Sequence, residues 1–346
     1  MIILYILIFV ILILLLVSKL ILNLAFGNRC EGNAKLKYFT ADDFEGLQIK
    51  PVEFKSNKGQ LLRGYIYTNK DIKEYKGLII FVHGMGGGHL SYTTEINTFA
   101  KAGFSVMAYD NTGTCSSEGK SLKGFFQSVI DLKYALKFVE GNEYLNKYPI
   151  GLVGHSWGAY TVCQVLQFNP NIKAVVAISG PNDSAKLICD FMKNEAKMNF
   201  SFLKPFITIV NFLTFGIKGV KNTINVLKET KIPVLLLHGE LDKTAPLENS
   251  PISNKGIESN NNIKTIVYEG RFHNVYQTKE SEEYLNKTFG DISELTKKYK
   301  GNLPENEINK IYDNIDYKKI TEEDEEVMNT IIKFLEESIE GKNSEK

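Results

Sequence analysis

The chain has 346 residues, 43% apolar and 23% charged, which excludes a disordered or fibrous polypeptide. Its 41 Lys and Arg against 40 Asp and Glu leave a net charge of +1, without the basic excess that a nucleic-acid binder needs. Cys30, Cys115, Cys163 and Cys189 are too scattered for a disulfide framework and form no C-x-x-C pair, so neither a metal nor a cofactor is expected.

In chain order, residues 2–17 are all apolar, and after Ser18 and Lys19 the run resumes to Phe26, broken only by Asn23. Residues 2–26 would extend ~37 Å as a helix, enough for a ~30 Å hydrocarbon core. No Lys or Arg precedes the run and no small-x-small site follows it, so it reads as an uncleaved anchor rather than a signal peptide. Lys19, Arg29, Lys35 and Lys37 on its C-terminal flank predict a single-pass protein with the remainder in the cytoplasm. Residues 27–50 read as a polar tether, and residues 51–346 as the folded domain.

From Pro51 the pattern becomes strand and turn. Residues 52–54 and 61–67 flank Ser56-Asn57-Lys58-Gly59 as a hairpin. Apolar runs at 77–82, 104–109, 149–154, 174–179, 233–238 and 264–269 then alternate with helical stretches at 91–102, 122–140 and 157–168. That alternation predicts an α/β fold with a mostly parallel sheet flanked by helices. Residues 181–231 interrupt it with six Phe and eight Lys against four acidic residues. Residues 274–346 carry eleven Lys against eighteen Asp and Glu and end in an amphipathic helix through Val327, Ile331, Ile332, Phe334, Leu335 and Ile339.

Gly154-His155-Ser156-Trp157-Gly158 is a G-x-S-x-G between a strand run and a helical run, the context of a nucleophile elbow. A serine hydroxyl needs a base, expected after an acid in the chain order Ser, acid, His. Of the five histidines, His83 and His238 end strands, His155 lies inside the elbow and His89 precedes it, which leaves His273. Asp242 follows the 233–238 strand and is the chosen acid, with Glu240 as runner-up. The oxyanion would be held by the backbone N–H of Trp157 and by that of Met85 in the loop His83-Gly84-Met85-Gly86-Gly87-Gly88. No G-K-[S/T] follows this loop, so it is not a phosphate cradle.

With these pieces in this order, the chain resembles the α/β-hydrolases, in the branch of monoacylglycerol lipases and serine aminopeptidases. The resemblance runs from Ser56-Asn57-Lys58-Gly59-Gln60-Leu61 through His83-Gly84-Met85, the elbow and His238-Gly239-Glu240-Leu241-Asp242 to Gly270-Arg271-Phe272-His273. It implies Ser156, Asp242 and His273 as a triad, Met85 and Trp157 as oxyanion donors, and a helical cap at 181–231. Family members carry Asp-x-Arg-Gly-x-Gly-x-Ser after the fourth strand, whereas this chain reads Asp110-Asn111-Thr112-Gly113-Thr114-Cys115-Ser116-Ser117. The acidic segment after His273 lies outside the pattern. The expected activity is serine-dependent hydrolysis of a carboxylic ester, with lipid and acylglycerol esters among the candidate substrates. The alternatives are a small-peptide or amide hydrolase and a catalytically silent, membrane-tethered binding module.

Overall fold

A computed structural model describes residues 1–299 and 304–341. Residues 300–303 and 342–346 of the expected domain lie outside the described residues. Eight strands form one sheet: β1 (Leu47–Lys55), β2 (Leu61–Asn69), β3 (Leu78–Val82), β4 (Ser105–Tyr109), β5 (Ile150–His155), β6 (Ala174–Ile178), β7 (Val234–Gly239) and β8 (Ile263–Tyr268). Their order is β1-β2-β4-β3-β5-β6-β7-β8. The β1–β2 and β2–β4 pairs are antiparallel, and all pairs from β4 to β8 are parallel. Strands β3 to β7 are buried along their whole length, which is why their sequences read as unbroken apolar runs instead of alternating.

Helices cover both faces. On one lie α3 (Gln127–Glu140) and α4 (Trp157–Gln164), packed with Phe54, Ile80 and Leu152. On the other lies α2 (Thr93–Lys101), with Ile96 and Phe99 against Phe81 and Val153. The last helix also covers that second face and buries Val327, Ile331, Phe334 and Leu335, as its pattern predicts. The helix expected over 122–140 starts only at Gln127. Tertiary contact overrides local pattern there: the N–H groups of Leu122 and Lys123 donate to the carbonyls of Asn28 and Phe26.

The insertion at 181–231 is helical, with α5 (Ser184–Ala196), α6 (Lys204–Phe215) and α7 (Thr223–Leu227). The N-terminal run forms α1 (Ile2–Phe26), long and apolar enough to cross a membrane. Residues 27–46, expected as part of a tether, are bound to the domain. Cys30 bridges to Thr114, and Arg29 donates to the carbonyls of Cys115, Ser117 and Gly119. The loop that lacks the family's arginine thus receives one from the chain's N-terminal segment. After β8 come α8 (Lys279–Lys298), α9 (Glu305–Asp313), α10 (Tyr317–Ile320) and α11 (Glu325–Ile339).

Candidate active site

Ser156 sits between the end of β5 and the first residue of α4, at φ 56° and ψ −113°. This conformation is uncommon and costly for a residue with a Cβ, and the packing around it holds it there. A Cβ on Gly158 would lie 1.9 Å from the Val82 carbonyl oxygen, and one on Gly154 would lie 2.3 Å from that of Gly158. Only glycine allows β3, β5 and α4 to approach so closely, so the two fixed glycines of the motif are steric requirements of the turn.

The loop after β8 brings His273 to the same place. Its Nδ1 lies 2.7 Å from Asp242 Oδ2, and the Asp242 side chain is fully buried. The carboxylate's other oxygen accepts from the N–H groups of Thr244 (2.8 Å) and Ala245 (2.9 Å). Burial alone would raise the Asp242 pKa; the charge His273 carries when protonated and hydrogen bonds from His238, His273 and Ala245 outweigh it and hold the carboxyl well below the usual range. Asp242 is therefore ionised at neutral pH and accepts the Nδ1 proton, leaving His273 Nε2 free to act as a base. Glu240 is exposed and accepts instead from Gly270 N–H at 2.9 Å. Of the two carboxylates considered, the structure brings Asp242 to His273.

The His273 carbonyl is also held, by Ser179 Oγ at 2.6 Å and His155 Nε2 at 3.1 Å. Because that carbonyl can only accept, His155 carries its proton on Nε2 and accepts at Nδ1 from the Tyr92 hydroxyl (2.9 Å). Tyr92 in turn accepts from Gly84 N–H at 3.0 Å. Burial and the nearby His273 charge push the His155 pKa down to about 3, so this chain of bonds stays neutral. It links the loop of Met85 to the loop of His273 through the interior of the protein. His83 and His89 are occupied elsewhere: His83 bonds Gly84 and Asn111, and His89 bonds Asp110. The Cys115 thiol, half-buried, is pushed up to about 12 mainly by burial, which makes it a poor nucleophile at neutral pH.

Ser156, His273 and Met85 all line one cavity of about 330 Å³. Gly84 N–H is engaged by Tyr92, so the next N–H in that loop is that of Met85. Trp157 opens α4, and the first N–H groups of a helix have no intrahelical partner. Its indole is buried and donates to the Phe125 carbonyl at 2.8 Å, which fixes the helix start. A larger cavity of about 850 Å³, between residues 166–170 and the end of the cap, contains none of the five predicted site residues. Among the described residues no cluster of three His, Cys, Asp or Glu is placed to hold a metal ion.

Sequence reasoning missed what holds and walls this site. Arg271, buried, pairs with Glu282 of α8 and with Asp324, the N-cap of α11, both at 2.9 Å. Glu282 also accepts from the N–H groups of Phe272 (3.2 Å) and Asn274 (2.7 Å), on either side of His273. Nothing in the local pattern marks Glu282 among the many acidic residues that surround it.

Residues 73–205 match the serine aminopeptidase S33 family. The chain is 24% identical over 266 residues to the acylamino-acid-releasing enzyme of Mus musculus, covering 70% of this chain but only about a third (33%) of that enzyme. It is 26% identical over 246 residues to the bifunctional esterase/perhydrolase of Acinetobacter calcoaceticus, covering 58% of this chain and 87% of that protein. An esterase of Pyrococcus furiosus superposes with a TM-score of 0.56 at 23% identity, covering 78% of this chain and 98% of that one. The shared fold and the family match that runs through the elbow give one answer: the chain belongs to the α/β-hydrolase superfamily.

Proposed function

We propose that the protein hydrolyses carboxylic esters through an acyl-enzyme on Ser156. The observation that carries this reading is the pairing of Asp242 with His273 at 2.7 Å beside a cavity shared with Ser156, which no Asp or Glu among the described residues lines. In the first half-reaction His273 Nε2 takes the Ser156 proton as Oγ bonds to the ester carbonyl carbon. The oxyanion is held by the N–H groups of Met85 and Trp157. Its collapse breaks the ester C–O bond, and the alcohol leaves with the proton from His273. Water then attacks the acyl-enzyme with His273 as base, releasing the acid and restoring Ser156. A peptidase acting on free amino termini needs an anion to hold the substrate's ammonium group. Among the described residues Lys37 is the one Lys, Arg, Asp or Glu at this cavity, and its charge has the wrong sign.

The test is a panel of p-nitrophenyl esters and aminoacyl amides. Esters should be turned over well above amides. Ser156→Ala should abolish turnover with the fold intact, and Asp242→Asn should cost roughly 10⁴ in kcat. Ser156→Ala activity within about tenfold of wild type, or a preference for amides, overturns the reading.

We further propose that α1 anchors the protein in a membrane with the domain on the cytoplasmic side, as the basic flank suggests. A C-terminal tag should then resist protease added outside intact cells. Spanning ~30 Å takes about twenty residues, from Ile2 to near Ile21. Yet Leu14, Ile21 and Leu22 pack on the domain, and Leu22 and Phe26 share a crevice with Val210 and Phe215 of α6. The free part of α1, residues 2–13, reaches only ~18 Å. A spanning α1 therefore carries α6 to the membrane, with Ile209, Phe212 and Leu213 exposed towards lipid. Brominated acyl chains should quench a Leu213→Trp variant more strongly than wild type, whose single Trp157 is buried. Equal quenching would discard this placement.

A further inference from the structure

The acidic segment after His273 has no counterpart in the family pattern, yet it reaches the catalytic centre directly. It is clamped at both ends through Arg271: by Glu282 in the first turn of α8 and by Asp324 ahead of α11. Glu282 is 1% exposed and holds the backbone on both sides of His273. Between the clamps, Leu285 and Phe289, one turn apart on α8, line the cavity of Ser156 together with Tyr317 and Ile320 of α10. Tyr38 and Phe39 of the N-terminal segment line it as well. The N-terminal and C-terminal segments are tied together: Asn33 Nδ2 donates to the Tyr312 hydroxyl at 2.7 Å, and Lys37 N–H donates to that of Tyr317 at 3.1 Å. Among the described residues, none of the 181–231 insertion lines this cavity.

From this we infer that α8 and α10, with residues 36–39, form the acyl-binding pocket and select the acyl chain, a role that the cap does not have. The inference rests on the esterase reading for its chemistry. Among these lining side chains Leu36, Phe39, Leu285, Phe289 and Ile320 are apolar, which suits an aliphatic acyl group. A volume of about 330 Å³ equals roughly eleven waters at ~30 Å³ each, which accommodates a chain of about eight carbons beside the reacting ester.

The experiment uses the full chain in lipid nanodiscs and p-nitrophenyl esters from acetyl to dodecanoyl. Leu285→Trp narrows the pocket, and its octanoyl kcat/KM should fall about tenfold or more while the acetyl value stays within about threefold of wild type. Phe289→Ala should move the optimum to longer chains, and Phe212→Ala in the cap should leave the profile unchanged. An octanoyl-to-acetyl ratio within about threefold of wild type in both α8 variants, or one moved equally by Phe212→Ala, overturns the inference. Calorimetric titration with octanoate and acetate separates this from failure of the esterase reading. If no ester is turned over, tighter binding of octanoate that Leu285→Trp abolishes still supports the pocket. Equal binding by wild type and Leu285→Trp, or none to either, refutes it.

Discussion

The two insertions in this hydrolase differ in what holds them. The cap at 181–231 is held by apolar packing, with Ile188, Leu203, Ile207 and Ile224 buried in the core and Phe215 against Phe126, and by neutral hydrogen bonds such as Gln164 Nε2 to the Lys221 carbonyl. Its ion pairs Lys204–Asp183 and Lys186–Asp190 lie within it. Its α6 is packed on α1. The segment from α8 to α10 is attached by a buried ion-pair network centred on Arg271, and it touches the cavity of Ser156. The 181–231 insertion stands where the resemblance implies a cap, but the cavity of Ser156 is walled by the insertion outside the pattern. Residue placement therefore follows which loop an insertion grows from. The C-terminal one grows from the loop of His273 itself and has little freedom to be elsewhere.

Breaking the clamp should give the largest difference between the two. Glu282→Gln leaves the buried Arg271 with one carboxylate fewer and loosens the loop on both sides of His273. It should lower stability by about 3 kcal/mol. It should also lower kcat by roughly 10²-fold, because a loosened base is misplaced for proton transfer. KM for a short ester should be little changed, which distinguishes loss of positioning from loss of binding. Denaturant titration and steady-state kinetics read both effects.

A second test concerns acid groups where the C-terminal segment meets α2. Glu95 is buried and Glu323 is half-buried near it, and among the described residues Glu95 Oε2 and Glu323 Oε1 have no hydrogen-bond partner. Burial, and for Glu95 also the charge of Glu323, raises the pKa of both carboxyls. The folded state therefore holds protons that the unfolded chain has released, so this pair makes stability fall as pH rises above the ordinary value of 4.5. Glu95→Gln should flatten that fall and raise the Tm at pH 8 by a few degrees. A wild-type Tm that does not decline between mildly acidic and neutral pH would contradict it.

The smallest expected effect belongs to the cap. Lys204→Gln removes a pair at 2.7 Å whose lysine is 43% exposed, and the change in stability should be at most about 1 kcal/mol, with kcat for a soluble ester unchanged. A large loss of activity would erase the contrast between the two insertions. Activity assays and denaturant titration decide it.

Much of this is legible in the sequence. Strand periods and unbroken apolar runs depend on neighbours within a few residues, so the sheet, its helices and the elbow at Ser156 could be read locally. The chain order of serine, acid and histidine narrowed the base to His273 because only five histidines exist. Asp242 and Glu240 could not be separated in this way, because two residues' difference after β7 decides which carboxylate turns inward and only packing sets that turn.

The sequence by itself determined the α/β architecture, the strained serine turn and the apolar N-terminal helix, since each is encoded in contiguous residues whose own conformational preferences agree. Only the tertiary structure decided that Arg29 fills the loop after β4, that α1 rests on α6, and that Glu282 clamps the histidine loop. It also decided that the wall of the cavity comes from residues 36–39 and from α8 and α10. Such contacts join segments up to about 280 residues apart, as in Lys37 and Tyr317, and a buried charge becomes recognisable only once its distant partner is in place.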